Sequence, residues 1–458
     1  MSLVEELRKV VHGEVDDSKE VLTKFSRDAS LFMVEPEVVV RPQDAHDVAS
    51  VVQFANARAE SPKVPIASAD ARTHRLSITA RSAGTDMSGG PLNNSIVLDM
   101  TAHLNHFIEL GDGWASVEPG MYFRDFDRET KKKNFELPSY TASREINTVG
   151  GMAANNSGGE KNLKYGKTAR YVEELEVVLS DGQVYTLKNI QGEELQKKCA
   201  QENFEGQLYR QMSSLVATHA AVIKKATPTV EKNSAGYALW DIGDGRASLN
   251  LARLFVGSQG TLGIITKIRY KLVHPKPCAA MTIMFLDSLA ELGAVVPQTL
   301  AHKPDSFESY DDNTFKLATK YFFEFAKQMK AGIISLGFAF LPEVWMLLTG
   351  GVPKRVLMAE CRGDTQEEAL ERAEALAREI RTTQPKVGVR VARSEKAARK
   401  YWTIRRESFN LLRQKVRGLR TAPFIDDFVV PPKKLPEFLP KLQEILSHYK
   451  LTYTIAGH

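Results

Sequence analysis

The sequence predicts an α+β protein of two domains, and three observations carry that expectation. Short runs rich in β-branched residues alternate with amphipathic helical patterns along the chain. The segment VEELEVVLSDGQVYTL holds two alternating runs joined by Asp181 and Gly182, a strong hairpin signal. At HPKP, Pro275 and Pro277 break the pattern and divide the chain into 1–275, with a helical lead-in over 1–32, and 276–458.

In the first part, VEPEVVVRPQ reads as a strand ending at Pro42, and Asp44 is placed to cap the amphipathic run AHDVASVVQFANARA. SITARSAGT, SIVLDM and ASVEPG follow as short strands, then a helix from about Phe123 to Asn134, the hairpin, and GTLGIITKIRYKLV as a closing strand. The second part begins with a strand at Ala280 to Phe285, a helix from Ser288 and a strand at Ser306 to Tyr310. VPKRVLMAECRG continues it as a strand and TQEEALERAEALAREIRTT as a charged helix. This alternation predicts a ferredoxin-like α+β layer, an antiparallel sheet with helices on one face. Glu367, Glu368, Glu371, Arg372 and Arg378 read as the solvated face of that helix, with i to i+4 pairs.

Charge and cysteine content exclude several classes. The 61 basic and 56 acidic side chains nearly balance, leaving a formal net charge of +5 and no support for nucleic-acid binding. Lys131, Lys132 and Lys133 read as a solvated helix end. Cys199, Cys278 and Cys361 are too far apart for a disulfide framework or a cysteine-ligated cluster, which fits a reducing compartment. The first twenty residues lack the apolar core of a secretory signal, so a cytoplasmic location is expected. From Ala331 to Gly351 an apolar stretch carries Pro342 and Glu343 at its middle, which argues for a buried or interfacial helical hairpin over a membrane span. Peripheral contact with the inner face of the membrane stays open on that segment.

Three glycine-rich segments carry the chemistry. In RSAGTDMSGGPLNNSIVLDM, glycines at 84, 89 and 90 interleave with hydroxyl side chains between two strands. Such a loop offers backbone N–H groups to an anion, and glycine lets the main chain approach a pyrophosphate. PSYTASREINTVGGMAANNSGGEKNLKYG crowds glycine and amide residues into a span where an ordinary helix or strand would pay for them. FVGSQGTLGIIT places a third glycine turn directly before a strand. Three such loops point to a long dinucleotide, and none fits the Rossmann or P-loop fingerprint.

In this order the segments resemble the FAD-binding domain of the vanillyl-alcohol oxidase and p-cresol methylhydroxylase superfamily. They are most similar to its FAD-linked D-lactate, glycolate and D-2-hydroxyglutarate dehydrogenase branch. The resemblance places the FAD pyrophosphate on Ser82, Ala83, Gly84, Thr85 and Asp86, with Gly89 and Gly90 beside them. It adds Pro138, Thr148, Gly150, Gly151, Asn155, Ser157 and Gly158 from the second segment, and Gly257, Gly260, Thr261, Gly263 and Ile264 from the third. Gln259 stands where many relatives have glutamate, and its amide can keep a hydrogen bond. Relatives that attach flavin covalently often carry a histidine in the first loop; Thr85 and Asp86 here imply noncovalent FAD.

The resemblance continues through KNSAGYAL (232–239), YWTIRRESFN (401–410) and PFIDDFVVPPKKLPEFLPKL (423–442). It implies that Arg405 of the W-x-x-R pattern faces a substrate carboxylate, which suits its planar, bidentate donors. The other reading of Arg405 is a surface salt bridge on a helix that also holds Arg406, Glu407 and Arg413. YTIAGH ends at His458, where the family motif runs on to a second histidine. His458 would be a catalytic-site residue and ligand of a zinc-like divalent ion only with ligands from beyond that point, since one histidine is not a metal site. The expected function is oxidation of a small 2-hydroxy acid to the 2-oxo acid, with electrons passing to a carrier protein, a quinone or an iron-sulfur module. The alternatives are a FAD-binding fragment or subunit without turnover of its own, and a sugar or aryl-alcohol oxidase on the same FAD domain.

Overall fold

Val38, Val39 and Val40 are β-branched and wholly buried, and they begin the first of three sheets. The structure is a computed structural model. It describes residues 2–59, 76–230, 232–233, 235–314, 316, 352–415, 427–449, 451 and 453–457. The apolar stretch expected as a hairpin at 331–351, and His458, lie outside the described residues. Two compact units result: Met1–Gly159 with Lys167–His274, and Glu160–Gly166 with the described residues from Pro275 onward.

The first unit holds two sheets. β1 (Glu14–Asp16), β2 (Val38–Arg41), β3 (Ile78–Arg81) and β4 (Ile96–Asp99) form the smaller one, in the order β1-β2-β4-β3. β1 is antiparallel to β2, whereas β2, β4 and β3 run parallel. Val38, Val40, Ile96 and Leu98 pack against Val48, Val51 and Val52 of the Ala45–Ala59 helix, and Val39 and Val97 face Phe25 on the opposite side. Burial on both faces explains why β2 reads as a continuous apolar run. Asp44 caps the helix as expected, accepting from the Asp47 N–H at 2.9 Å. The lead-in is not wholly helical: β1 interrupts it between short helices at Leu3–Leu7 and Lys19–Phe25. Three residues are too few to show a strand period, and only Val15 of the three is buried.

The larger sheet contains β5 (Phe107–Leu110), β6 (Trp114–Val117), β7 (Val172–Val178), β8 (Val184–Gln191), β9 (Ser248–Asn250) and β10 (Ile264–Lys271). Their order is β5-β6-β10-β7-β8-β9, antiparallel throughout. β7 and β8 are the expected hairpin, turning where Gly182 takes φ +70°. Tyr270 on β10 is fully buried, and its hydroxyl donates to the Val149 carbonyl at 2.7 Å, which ties the sheet to the second glycine segment. The lysine run ends a helix, Phe123–Lys131, with Lys131 and Lys132 paired to Asp127 and Glu129.

The second unit is one antiparallel sheet of β11 (Cys278–Leu286), β12 (Ser306–Asp311), β13 (Arg355–Gly363), β14 (Gly388–Ala392) and β15 (Ala456–Gly457), in the order β14-β11-β13-β12-β15. Helices cover both of its faces, not one. Met284, Leu286 and Leu357 pack on the Leu292–Ala301, Gln366–Thr383 and Leu435–His448 helices. Met281, Ile283, Phe285, Val356 and Met358 pack on Ala398, Tyr401, Trp402 and Ile404 of the Glu395–Lys415 helix.

Asp305 is a polar anchor of this unit. Its buried carboxylate accepts from the Arg362 backbone N–H at 2.8 Å and from Arg372 at 2.9 Å, and it is ion-paired with Lys164. Arg372, expected on a solvated face, also donates to the Lys303 carbonyl at 2.8 Å. Burial works to raise the pKa of Asp305, and the Lys164 hydrogen bond, the Arg362 N–H and the charges of Lys164 and Arg372 outweigh it, leaving the carboxyl below its ordinary value. A depressed folded pKa stabilises the fold fully above the unfolded value of about 3.9 and loses that contribution as pH falls through the folded value. Asp305→Asn is therefore expected to lower the melting temperature at pH 7 and to flatten its decline below about pH 4 relative to the parent chain. Parallel melting curves from pH 7 to pH 3 test this, and identical acid limbs would contradict it.

Candidate functional site

In the first unit the three glycine segments converge. The Gly257 and Gln259 N–H groups of the third donate to the Ala153 and Ala154 carbonyls of the second, both at 2.9 Å. A Cβ on Gly257 would sit 3.1 Å from Asn156, one on Gly151 would sit 3.8 Å from Ser82, and one on Gly90 would sit 3.7 Å from the Gln259 carboxamide oxygen. Each pair of segments is therefore adjacent, the second and third main chain to main chain and the first through the side chains of Ser82 and Gln259. Gly84, Gly89, Gly257 and Gly260 take φ of +66°, +88°, +89° and +77°.

The first loop is held from inside and from behind. Asp86 turns its carboxylate onto its own loop, accepting from the Gly90 N–H and the Ser88 hydroxyl, both at 2.8 Å. Behind the loop lies Arg81, 8% exposed, whose Nη2 would be 2.5 Å from a Cβ on Gly84. Burial lowers the pKa of this guanidinium, and the carboxylates of Asp28 and Asp99 oppose that shift.

The second segment starts as a short helix, Val149–Ala154, capped by Thr148, whose hydroxyl accepts from the Gly151 N–H. Ser157 is fixed through Thr168, which binds the Ser157 carbonyl at 2.7 Å and the Ser139 hydroxyl at 3.3 Å, beside the buried Pro138. Gly150 is buried, and a Cβ there would strike Pro119 at 2.4 Å. A Cβ on Gly263 would sit 2.7 Å from the Val178 carbonyl, and Ile264 opens β10 opposite Val178. Packing thus accounts for Gly150, Gly263 and Ile264. Gly90, Asn155, Gly260 and Thr261 are exposed, and Ser82 to Asp86, Gly89, Gly151 and Gly158 are partly exposed. These are the positions that can meet a ligand.

Sequence reasoning missed Tyr237 and Arg81 as contributors, and it did not anticipate the backbone conformation of two further residues. Asn156 and Gln259 take left-handed φ of +46° and +52° without being glycine. Tyr237, in KNSAGYAL, places its hydroxyl 2.8 Å from that of Thr261 and so brings a fourth segment to the loops. Arg81 was passed over because its partners lie more than fifty positions away.

In the second unit the W-x-x-R pattern has a structural meaning. Trp402 and Arg405 lie three apart on one helix face. The indole N–H of Trp402 donates to Glu360 on β13 at 3.0 Å, and Nε of Arg405 donates to Glu308 on β12 at 2.8 Å. Both carboxylates are nearly buried, at 4% and 3% exposure. Arg405, partly exposed, is thus ion-paired with a nearly buried carboxylate, and Arg406 pairs with Glu160. Among the described residues, the trio within reach of a common metal ion is His12, His46 and Asp47 of the first unit. Asp47 already accepts three backbone N–H bonds, from His12, Gly13 and Gln43.

The converging loops suit a flat dinucleotide, and comparison with known proteins agrees. The FAD binding domain profile matches residues 36–188, and the FAD linked oxidases, C-terminal domain profile matches residues 277–458. D-2-hydroxyglutarate dehydrogenase of Pseudomonas putida is 26% identical over 97% of this chain and 42% of that protein. Glycolate oxidase subunit GlcD of Bacillus subtilis is 25% identical over 97% of this chain and 75% of its own length. D-lactate dehydrogenase of Archaeoglobus fulgidus is 24% identical over 100% of this chain and 81% of its own length. The chain spans about two fifths of the D-2-hydroxyglutarate dehydrogenases of Pseudomonas putida and Escherichia coli. In fold it is similar to alkyldihydroxyacetonephosphate synthase, with TM-score 0.64, 14% identity, and coverage of 99% of this chain and 79% of that one.

Gly84→Ala, which combines positive φ with a clash on Arg81, is expected to weaken FAD retention at least about tenfold. Gly113→Ala carries similar backbone strain at φ +74° with nothing within 4 Å, and it should retain FAD. The flavin absorbance of the purified variants reads this directly; equal retention in both would show that the first loop does not hold the cofactor. Two domain profiles that together span most of the chain show a FAD binding domain followed by the C-terminal domain of FAD linked oxidases, so this protein belongs with the FAD-linked flavoproteins, and along nearly all of its length it is similar to the D-2-hydroxyglutarate dehydrogenase, glycolate oxidase subunit and D-lactate dehydrogenase compared above.

Proposed function

We propose that this chain oxidises a small 2-hydroxy acid to the 2-oxo acid with noncovalent FAD. The observation that carries this reading is the convergence of the three glycine segments, in a chain whose second half matches FAD-linked oxidases. Bound FAD supplies a hydride acceptor. Ser82 to Asp86 with Gly89 and Gly90 would hold its pyrophosphate through main-chain N–H groups. Gly151, Asn155, Ser157, Gly158, Gly257, Gly260 and Thr261 would line the remainder. Thr85 and Asp86 offer no histidine for covalent attachment.

Arg405 would receive the substrate carboxylate. Glu308 holds its Nε, which fixes the plane of the guanidinium and so the direction of its other donors. No step is assigned to a metal, because His458 lies outside the described residues. Electrons would leave to a carrier protein, a quinone or an iron-sulfur partner. Cys361 is a poor cluster ligand: burial pushes its thiol up to about 11, and a cluster needs thiolates. Three free cysteines fit a cytoplasmic setting. Among the described residues no helix is long and apolar enough to cross a membrane.

Anaerobic mixing of the FAD-loaded chain with D- and L-2-hydroxy acids, with and without added divalent metal, tests the reading. Bleaching of the flavin by one acid supports it. FAD binding without reduction by any acid would make this chain a cofactor-binding unit without turnover. For the substrate role of Arg405, Arg405→Lys keeps a cation beside Glu308 and is expected to raise KM about 10- to 100-fold with a smaller change in kcat. An unchanged KM would leave Arg405 as a partner of Glu308 alone.

A further inference from the structure

The first glycine loop is clasped by a segment that no sequence motif marked. The chain from Phe25 to Val34 doubles back on itself, with a bridge between Arg27 and Met33 and the Val34 N–H donating to the Ser26 carbonyl at 2.9 Å. Three contacts join this small turn to the loop. Arg81 donates from Nη1 to the Phe25 carbonyl at 2.9 Å and from Nη2 to the Arg27 carbonyl at 2.6 Å, with its guanidinium over the Phe25 ring. The Ala29 N–H donates to the Gly84 carbonyl at 3.2 Å. The Phe32 ring lies where a Cβ on Gly89 would meet it at 2.9 Å. Both ends of the loop are thus gripped.

We infer that the Phe25–Val34 turn is a working part of the FAD site and that Arg81 is its positioning residue, setting the main-chain N–H groups of Ser82 to Gly90 toward the diphosphate. This rests on the FAD reading of the loop. The physical reason is cost: a glycine-rich loop has much conformational entropy to lose, and whatever fixes it in advance removes that cost from binding. Arg81 is suited because a guanidinium has five donors in a rigid fork and can satisfy two carbonyls of one turn while lying flat beneath Gly84. A lysine has one donor group and cannot reproduce that geometry. The glycine segments 82–90, 148–159 and 257–264 contain no lysine or arginine, so the residue immediately before the first is the cation that adjoins it.

The experiment uses holoprotein and three variants, Arg81→Lys, Arg81→Met and Phe32→Ala. Phe32 is 58% exposed, so its removal tests the clasp with little risk to folding. FAD release is followed by flavin fluorescence on dilution, and the phosphorus NMR signals of the bound diphosphate are recorded. Arg81→Met is expected to accelerate release about 30-fold, with Arg81→Lys between it and the parent and Phe32→Ala faster by about threefold. The diphosphate resonances should move in Arg81→Lys and Phe32→Ala while the flavin absorbance band keeps its shape. A role in stability alone would lower the melting temperature without moving those resonances. Parent-like release and resonances in Arg81→Lys and Phe32→Ala overturn the inference, even if Arg81→Met fails to fold. Failure of the parent chain to take up FAD would instead overturn the underlying reading of the site.

Discussion

A main chain can approach another main chain, or a diphosphate, only where no Cβ intervenes, and this constraint organises the first unit. The third glycine segment is joined to the second by the Gly257 and Gln259 N–H bonds to Ala153 and Ala154. Those bonds bring Gly257 to where a Cβ would lie 3.1 Å from Asn156, and Gly150 packs more closely still, at 2.4 Å from Pro119 by the same measure. Glycines of this kind assemble the site. Others, such as Gly260, have nothing within 4 Å and leave backbone open to a ligand. Both kinds cost conformational entropy on folding, and a cofactor that binds only the assembled arrangement offsets part of that cost through mass action.

The second unit is ordered by a different constraint, the need to partner every buried charge. Glu308 and Glu360 point from adjacent strands toward one helix, and a buried carboxylate without a donor would be strongly destabilising. Trp402 and Arg405 supply the donors at a spacing of three, so the register of the Glu395–Lys415 helix over the sheet is set by polar complementarity as well as by Tyr401 and Ile404 packing. Asp305 does the same for the Glu160–Gly166 segment through Lys164.

How much of this was legible in the sequence depended on the range of each interaction. The β7–β8 hairpin was written in two residues, Asp181 and Gly182, and the glycine loops in their own composition. Strand β1 was not, because Val15 alone carries its buried face. The helices on both faces of the second sheet were in fact signalled. AAMTIMFL and RVLMAEC are continuous apolar runs rather than alternating ones, and β11 and β13 are buried along nearly their whole length. That signal lost to an architectural analogy. Contacts such as Arg81 to Phe25, across 56 positions, leave no periodic trace at all.

Arg405 and Arg81 show how such contacts hold a charge in place. Arg405 is bonded to a carboxylate, so its charge is largely balanced within the protein. What Glu308 contributes in return is direction: a guanidinium fixed at Nε presents a fork of known plane, which is what bidentate recognition demands. Arg81 donates to two carbonyls, which orient and solvate the cation without cancelling its charge. Asp28 and Asp99 stand near enough to favour its charged form. A charge held this way lies against Gly84 and fixes the shape of the first glycine loop with the same two bonds. The two arginines thus serve different ends, Arg81 joining a turn to a glycine loop and Arg405 joining a helix to a sheet.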